Sequence, residues 1–178
     1  MTRKEFVALA VGLGACCCGG ATALAQSAGT TTPEVQELKR KIEFMQKRMA
    51  KLVRALDEPT RQKMIETMGR ECAKDSGGSL MNRFRGKPEE YLAEARRQWH
   101  ENATYDKEKG TLRVVGPAKP CGCAFVKVGL TPPEFCNCTL GYNKEFYSAI
   151  FGEPVDVEIE DTFLRGADHC AMKISRRK

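Results

Sequence analysis

The chain has 178 residues, of which 42% are hydrophobic and 29% charged, and it carries a formal net charge of +6. This length suits one modest domain with short appendages. No run of basic residues is interleaved with aromatic ones, which argues against a nucleic acid partner.

The first 25 residues have the three-part pattern of a signal peptide. Arg3 and Lys4 precede a short apolar run over residues 6–14, and Ala23-Leu24-Ala25 forms a small-x-small cleavage site. The apolar run is too short for a membrane-spanning helix. Cleavage before Cys16 is an alternative, because residues 13–16 resemble a bacterial lipoprotein box. Residues 2–7 also resemble a twin-arginine export signal in which lysine replaces the second arginine. The sequence predicts an exported protein (periplasmic, secreted or lipid-anchored) that touches the membrane only through its signal or lipid anchor.

Residues 26–32 are small and polar and predict a flexible linker before a helix over residues 33–57. Apolar residues recur in that helix at alternating three- and four-residue steps, as in a heptad seam. A homodimer through this seam and an amphipathic helix packed on its own domain both fit the pattern. The seam residues are Val35, Leu38, Ile42, Met45, Met49, Leu52 and Leu56.

Residues 58–178 then begin with two further predicted helices. In the first, Met64, Ile65, Met68 and Cys72 share one face, so Cys72 is expected to point inward, and the Asp-Ser-Gly-Gly-Ser run at 75–79 is expected to end the helix. The second opens at Lys87-Pro88-Glu89-Glu90 and ends at His100. Its apolar stripe consists of Tyr91, Leu92, Ala95 and Trp99.

From residue 111 the pattern becomes extended. Strands are predicted at 111–115 and 123–128, and Thr131-Pro132-Pro133-Glu134 is typical of a capping box that opens a helix ending at Gly152. Alternation over 155–163 predicts a strand with one buried face, and a turn at 165–168 leads to a returning strand at 170–174. The predicted fold class is α+β, with N-terminal helices followed by a small antiparallel sheet packed on helices.

Five cysteines in this half form the candidate site. Four closely spaced thiolates suit zinc or, as a weaker option, an iron–sulfur cluster. In an oxidising compartment the six cysteines left after signal removal also suit disulfides, either between the two Cys-x-Cys units or between Cys72 and Cys170. Cys170 shares strand parity with Met172 and Ile174 and is expected to face the core, whereas neighbouring His169 points away and is poorly placed as its catalytic partner. The candidate metal ligands are Cys121, Cys123, Cys136, Cys138 and Cys170.

Within a helix, Cys136 and Cys138 would point about 200° apart. They could share one ion only if the segment around them were a loop.

The segment Glu158–Ile174, with its Gly-Ala-Asp-His-Cys ending, resembles the end of 4-vinyl-reductase-type ligand-binding domains and of L-2-amino-thiazoline-4-carboxylic acid hydrolase-like proteins. The resemblance covers roughly residues 115–176. It implies an α+β domain, often dimeric, with a pocket for a small apolar or heterocyclic molecule. Phenol-sensing members hold zinc near this ending, which implies ligand roles for Cys170 and for Cys138 or Cys136, while Thr162 stands where another cysteine is expected.

Three functions follow as expectations. The first is an extracytoplasmic small-molecule-binding domain with a cysteine-rich structural or metal centre, whose pocket lies between the sheet and the helix ending at Gly152. The second is a hydrolase of a small heterocycle or amide, which needs an activated water. The third is a coiled-coil assembly protein with a cysteine-stapled head.

Overall fold

The periodic segments form helices, and the alternating segments of the second half form one sheet. A computed structural model describes residues 32–99, 102–116, 123 and 125–177, and the chain from Pro33 onward groups into one compact unit. The described helices are α1 (Pro33–Ala55), α2 (Glu58–Arg83), α3 (Pro88–Trp99) and α4 (Asn137–Phe151). The described strands are β1 (Asn102–Asp106), β2 (Thr111–Val115), β3 (Val155–Asp161) and β4 (Ala171–Arg176).

The four described strands are antiparallel, in the order β1-β2-β4-β3. Helix α4 crosses the sheet, and α2 packs against α4. The main core lies between the sheet and helices α2, α3 and α4, and includes Tyr91, Leu112, Phe146, Ile150 and Ile174. The predicted α+β class, with N-terminal helices followed by a small antiparallel sheet packed on helices, is confirmed. Among the described residues, no helix is long and apolar enough to cross a membrane.

Helix α2 differs from its prediction in two ways. Asp57 caps its N-terminus by accepting a hydrogen bond from the Thr60 backbone at 3.1 Å, but the helix runs through residues 75–79 to Arg83. Gly77 is buried within this helix beside the Phe146 ring. The expectation that Cys72 points inward is also wrong, since Cys72 is exposed. The buried face consists of residues at four-residue steps, and the three in the middle are small, so hydrophobicity alone does not identify this face. These residues are Ile65, Gly69, Ala73, Gly77 and Met81.

Two extended segments also differ from prediction. Strand β1 was not predicted, because only Ala103 of its five residues is buried and its composition is polar. Conversely, the described residues from 123 to 128 form turns and coil, so the strand predicted there is wrong. In that segment the Val126 backbone donates to the Cys123 carbonyl at 2.9 Å, which is a turn contact.

Helix α4 follows a short 3-10 turn over Pro133–Cys136 and ends at Gly152, which has a φ of 74°. The turn has no side-chain cap, so the predicted capping box is wrong. The Thr131 hydroxyl instead accepts a hydrogen bond from the Lys127 backbone at 2.9 Å and thereby closes the preceding loop.

Helix α1 contacts the rest of the unit mainly through its C-terminal half. Ala50 and Val53 are buried, and Val53 joins Ile65 and Phe135 in a second, smaller core that also contacts three methionines, Cys138 and Leu164. The heptad seam lies about a quarter turn away from this buried face, from the 100° that separates successive helical residues. Most of the seam is therefore exposed in the single chain.

Candidate functional site

The structure places the predicted cysteine ligands in different settings. Cys121 lies outside the described residues, and Cys123 is exposed before the loop over 125–131. Cys136 is buried at the end of the 3-10 turn, and its thiol donates to the Thr162 hydroxyl at 3.2 Å. Cys138 is half-buried in the first turn of α4, against the smaller core. The segment around Cys136 and Cys138 is thus a 3-10 turn running into a helix rather than an open loop.

Cys170 is half-buried immediately before β4 and is not disulfide-bonded to the exposed Cys72. Its carbonyl accepts a hydrogen bond from the Gly116 backbone at 2.8 Å, which holds the start of β4 beside the end of β2. The neighbouring His169 ring lies 2.6 Å from an Asp168 carboxylate oxygen. That hydrogen bond from His169 lowers the pKa of Asp168.

Within residues 32–99, 102–116, 123 and 125–177, no three histidine, cysteine or acidic side chains converge on one point. A metal site that includes Cys121 would involve a residue outside this described part of the chain. The five-cysteine metal site therefore stays a prediction, and so does its disulfide alternative.

A cleft lies between α2 and α4, beside the start of β3. It encloses about 620 Å³, within the range of small-molecule sites. Its apolar lining comes from the buried residues Met81, Ala149 and Val155 and from the exposed Pro154, and we call these four residues its floor. Its walls carry five cationic side chains against two carboxylates. We call this feature the basic cleft; its cations are Arg70, Lys74, Arg85, Lys144 and Arg177, and its carboxylates are Glu145 and Glu153.

Most charges of the basic cleft are already paired. Arg70 donates to Glu66 at 3.0 Å and to Glu145 at 3.4 Å, and Lys144 donates to Glu66 at 3.0 Å. Arg177 pairs with Asp156 at 2.7 Å. Arg85 differs, because it forms no ion pair with any residue in the described part of the chain. It is the cation best placed to meet an anionic ligand.

At the interface between α4 and the sheet, where the ligand pocket was expected, the described side chains include Leu112, Ile150 and Ile174 of the main core. Phe146 and Tyr147 lie with ring centroids 5.3 Å apart, and each also makes an edge contact with Tyr91. The basic cleft opens on the other side of α4, toward α2.

Glu66 ties the two walls of the cleft together, because it binds Arg70 on α2 and Lys144 on α4. Desolvation of this partly buried carboxylate acts to raise its pKa. The hydrogen bonds from Lys144 and Arg70 outweigh desolvation, so the pKa of Glu66 is lowered below its usual value of 4.5.

We expect Glu66→Gln to lower the free energy of unfolding by about 1–2 kcal/mol at pH 7. Because the folded-state pKa is depressed, the wild-type contribution is complete above pH 4.5 and is lost as the pH falls through the folded pKa. Urea unfolding of both proteins at several pH values should show the difference shrinking below that point. A difference that stayed constant down to pH 3 would mean that the carboxylate charge does not matter.

Sequence reasoning did not find the basic cleft. Its charged residues are spread along the sequence from Arg70 to Arg177. They lie on α2, on α4, in the turns that follow these two helices and just after β4. A weak signal existed for the helix contact that builds the cleft, since isolated glycines inside helical patterns often mark close packing. Those glycines are Gly69 and Gly141, where an added Cβ would lie 1.9 Å from a carbonyl oxygen of the facing helix.

Residues 24–178 match the family of unknown function DUF6144, and the chain belongs to that family. No curated protein matches the chain. The matched family is not the 4-vinyl-reductase-type family that the C-terminal residues resemble, so that narrower assignment stays a prediction.

Two solved structures share features of this fold. One is trafficking protein particle complex subunit 3 from Naegleria fowleri, covalently bound to palmitic acid, with 14% identity over 80% of this chain and 96% of that chain and a TM-score of 0.53. The other is the phenol-responsive sensory domain of the transcription activator PoxR with phenol, with 12% identity over 77% of this chain and 73% of that chain and a TM-score of 0.44. The first similarity shows a shared fold only, and the second is too distant to add to it.

Proposed function

We propose that this protein is an exported small-molecule-binding domain that holds a small organic anion in the basic cleft. The observation that carries the proposal is the pairing of an apolar floor with Arg85, a cation that has no ion-pair partner in the described part of the chain. An aromatic or heterocyclic carboxylate would place its ring on Met81 and Val155 and its charge beside Arg85.

Benzoate is a suitable probe, because benzamide has the same shape without the charge. We expect benzoate to raise the Tm and benzamide to leave it nearly unchanged, since a ligand that binds only the folded state stabilises it. Arg85→Ala should weaken benzoate binding about tenfold or more, as expected for a lost hydrogen bond to a charged group. Isothermal calorimetry checks both expectations.

Arg165→Ala is the matched control for this experiment. Arg165 is an exposed arginine at the end of the 3-10 turn Phe163–Arg165, away from the cleft. Its replacement should leave benzoate binding unchanged. Equal losses in the two variants, or equal binding of benzoate and benzamide, would refute the cleft as the site.

The cysteine-rich segment is proposed as the structural or metal centre of this domain. Cys136 supports this role because its buried thiol is held by Thr162, and Cys138 supports it because it packs against the smaller core. Metal analysis together with a thiol count on purified exported protein should give either one zinc per chain with reduced thiols or oxidised cysteines without metal. A protein that contains no metal and has only reduced cysteines would rule out both forms of the centre.

A further inference from the structure

The exposed large apolar side chains of the described chain are concentrated in one region. All eight lie either on α1 or in the adjoining loop over residues 125–131. Leu38, Met45 and Leu52 are 57%, 55% and 47% exposed. The rest of the unit does not cover these side chains. Single exposed apolar residues are normal on a protein surface, but a concentrated patch of them marks an interaction site.

Five of these side chains share one face of α1. We define the apolar face as Val35, Leu38, Ile42, Met45 and Leu52, which recur at three- and four-residue steps. Phe44, which is 58% exposed, lies beside this face, with Lys41 and Arg48 between them on the helix surface. The Arg48 guanidinium covers the Phe44 ring at 4.9 Å.

The loop over 125–131 is fixed beside this helix and extends the apolar surface. Lys127 pairs with Glu43 at 2.9 Å, and the Gln46 side chain donates to the Val126 carbonyl at 3.5 Å. Within the loop, Phe125 and Val128 are both exposed.

The charge of α1 selects the kind of partner. The helix carries seven lysine and arginine residues against three glutamates. Glu37 is paired with Arg40 and Lys41, and Glu43 with Lys47 and Lys127. Lys39, Arg48 and Lys51 have no carboxylate partner within the described chain. An apolar face flanked by unneutralised cations, on a helix whose opposite face is polar, is the pattern of a helix that lies in a membrane interface.

We propose that α1 and the 125–131 loop dock on an anionic phospholipid surface, with the apolar face inserted among the acyl chains and the flanking cations among the headgroups. A second copy of the chain fits the same face less well. Each helix carries a net positive charge, so two copies would repel each other. The seam also spans only about three heptads and has methionine at two positions, which specifies a helix pair poorly. This inference does not depend on the basic cleft.

The test uses the exported chain from Gln26, so that neither signal nor lipid anchor contributes. In co-sedimentation, phosphatidylglycerol vesicles should bind the protein at least about tenfold more tightly than phosphatidylcholine vesicles. Raising the salt concentration should weaken that binding, because screening reduces the headgroup contribution.

Two variant pairs separate the apolar and charged contributions. Leu38→Gln with Met45→Gln keeps the charge and should weaken binding to phosphatidylglycerol about tenfold or more, with an unchanged Tm because both side chains are exposed. Lys39→Gln with Arg48→Gln removes two of the unneutralised cations and should remove most of the preference for the anionic lipid. Arg113→Gln with Lys173→Gln removes two cations from the sheet instead and should bind like the wild type.

Equal binding to both lipids, or full binding by the Leu38→Gln, Met45→Gln pair, would overturn the proposal. A concentration-dependent dimer in sedimentation velocity that this pair disrupts, with no vesicle binding, would also overturn it in favour of a second copy as the occupant.

Discussion

Replacing Gly69 with alanine is expected to lower the free energy of unfolding by about 3 kcal/mol or more, because overpacking of a tight contact is costly. A Cβ at this position would lie 1.9 Å from the carbonyl oxygen of Cys138 and 2.8 Å from the Tyr142 backbone nitrogen. Both neighbours are backbone atoms of α4, so no side-chain rotation can relieve the clash. The helices would have to separate along their whole contact, which also forms the basic cleft.

Gly78 supplies the control, since it lies in the same helix and a Cβ there would meet nothing within 4 Å. Gly78→Ala should raise the free energy of unfolding by about 0.5–1 kcal/mol through the better helix propensity of alanine. Gly141→Ala should behave like Gly69→Ala, because its Cβ would lie 1.9 Å from the Glu66 carbonyl oxygen. Urea denaturation followed by circular dichroism checks all three. Similar values for Gly69→Ala and Gly78→Ala would mean that the crossing is not tight.

The parts of the fold with strong periodicity were predictable. Strand β3 shows the alternation expected of a strand with one buried face, since Val155 and Val157 are buried while Asp156 and Glu158 are exposed. Its pairing with β4 through a turn after Phe163 follows from the same pattern. Helix α3 was equally clear, because Tyr91, Leu92 and Ala95 of its predicted apolar stripe are all buried.

Small residues explain where prediction failed. The buried face of α2 runs through Gly69, Ala73 and Gly77, which contribute close approach rather than hydrophobic area. The predicted face included buried Ile65, but exposed Cys72 was wrongly expected inside. The basic cleft could not be predicted for a related reason. Its charges come from α2, α4 and the end of the sheet, and only the tight helix crossing brings them together.

Truncating Phe146 to alanine should lower the free energy of unfolding by about 3–5 kcal/mol, as for other buried aromatic residues. Its ring is 4% exposed and lies 5.3 Å from the Tyr91 ring centroid and 5.9 Å from that of Tyr142, on which it stacks. These contacts join α3 and α4 in one aromatic cluster. Phe44→Ala, at an exposed position, should change the same quantity by less than about 0.5 kcal/mol.

A substitution at Gly77 tests whether the Phe146 ring is the reason that the crossing of α2 and α4 does not tolerate a side chain at this position. A Cβ on Gly77 would lie 3.0 Å from Phe146 Cδ2 and 3.2 Å from the Tyr142 hydroxyl, so Gly77→Ala alone should destabilise the wild type. In the Phe146→Ala background the closest obstacle is gone, and the same substitution should become neutral or stabilising, with a coupling energy of about 1 kcal/mol or more. Urea denaturation of the two single variants and the double variant completes the cycle. Additive effects would show that the ring and the glycine are energetically independent.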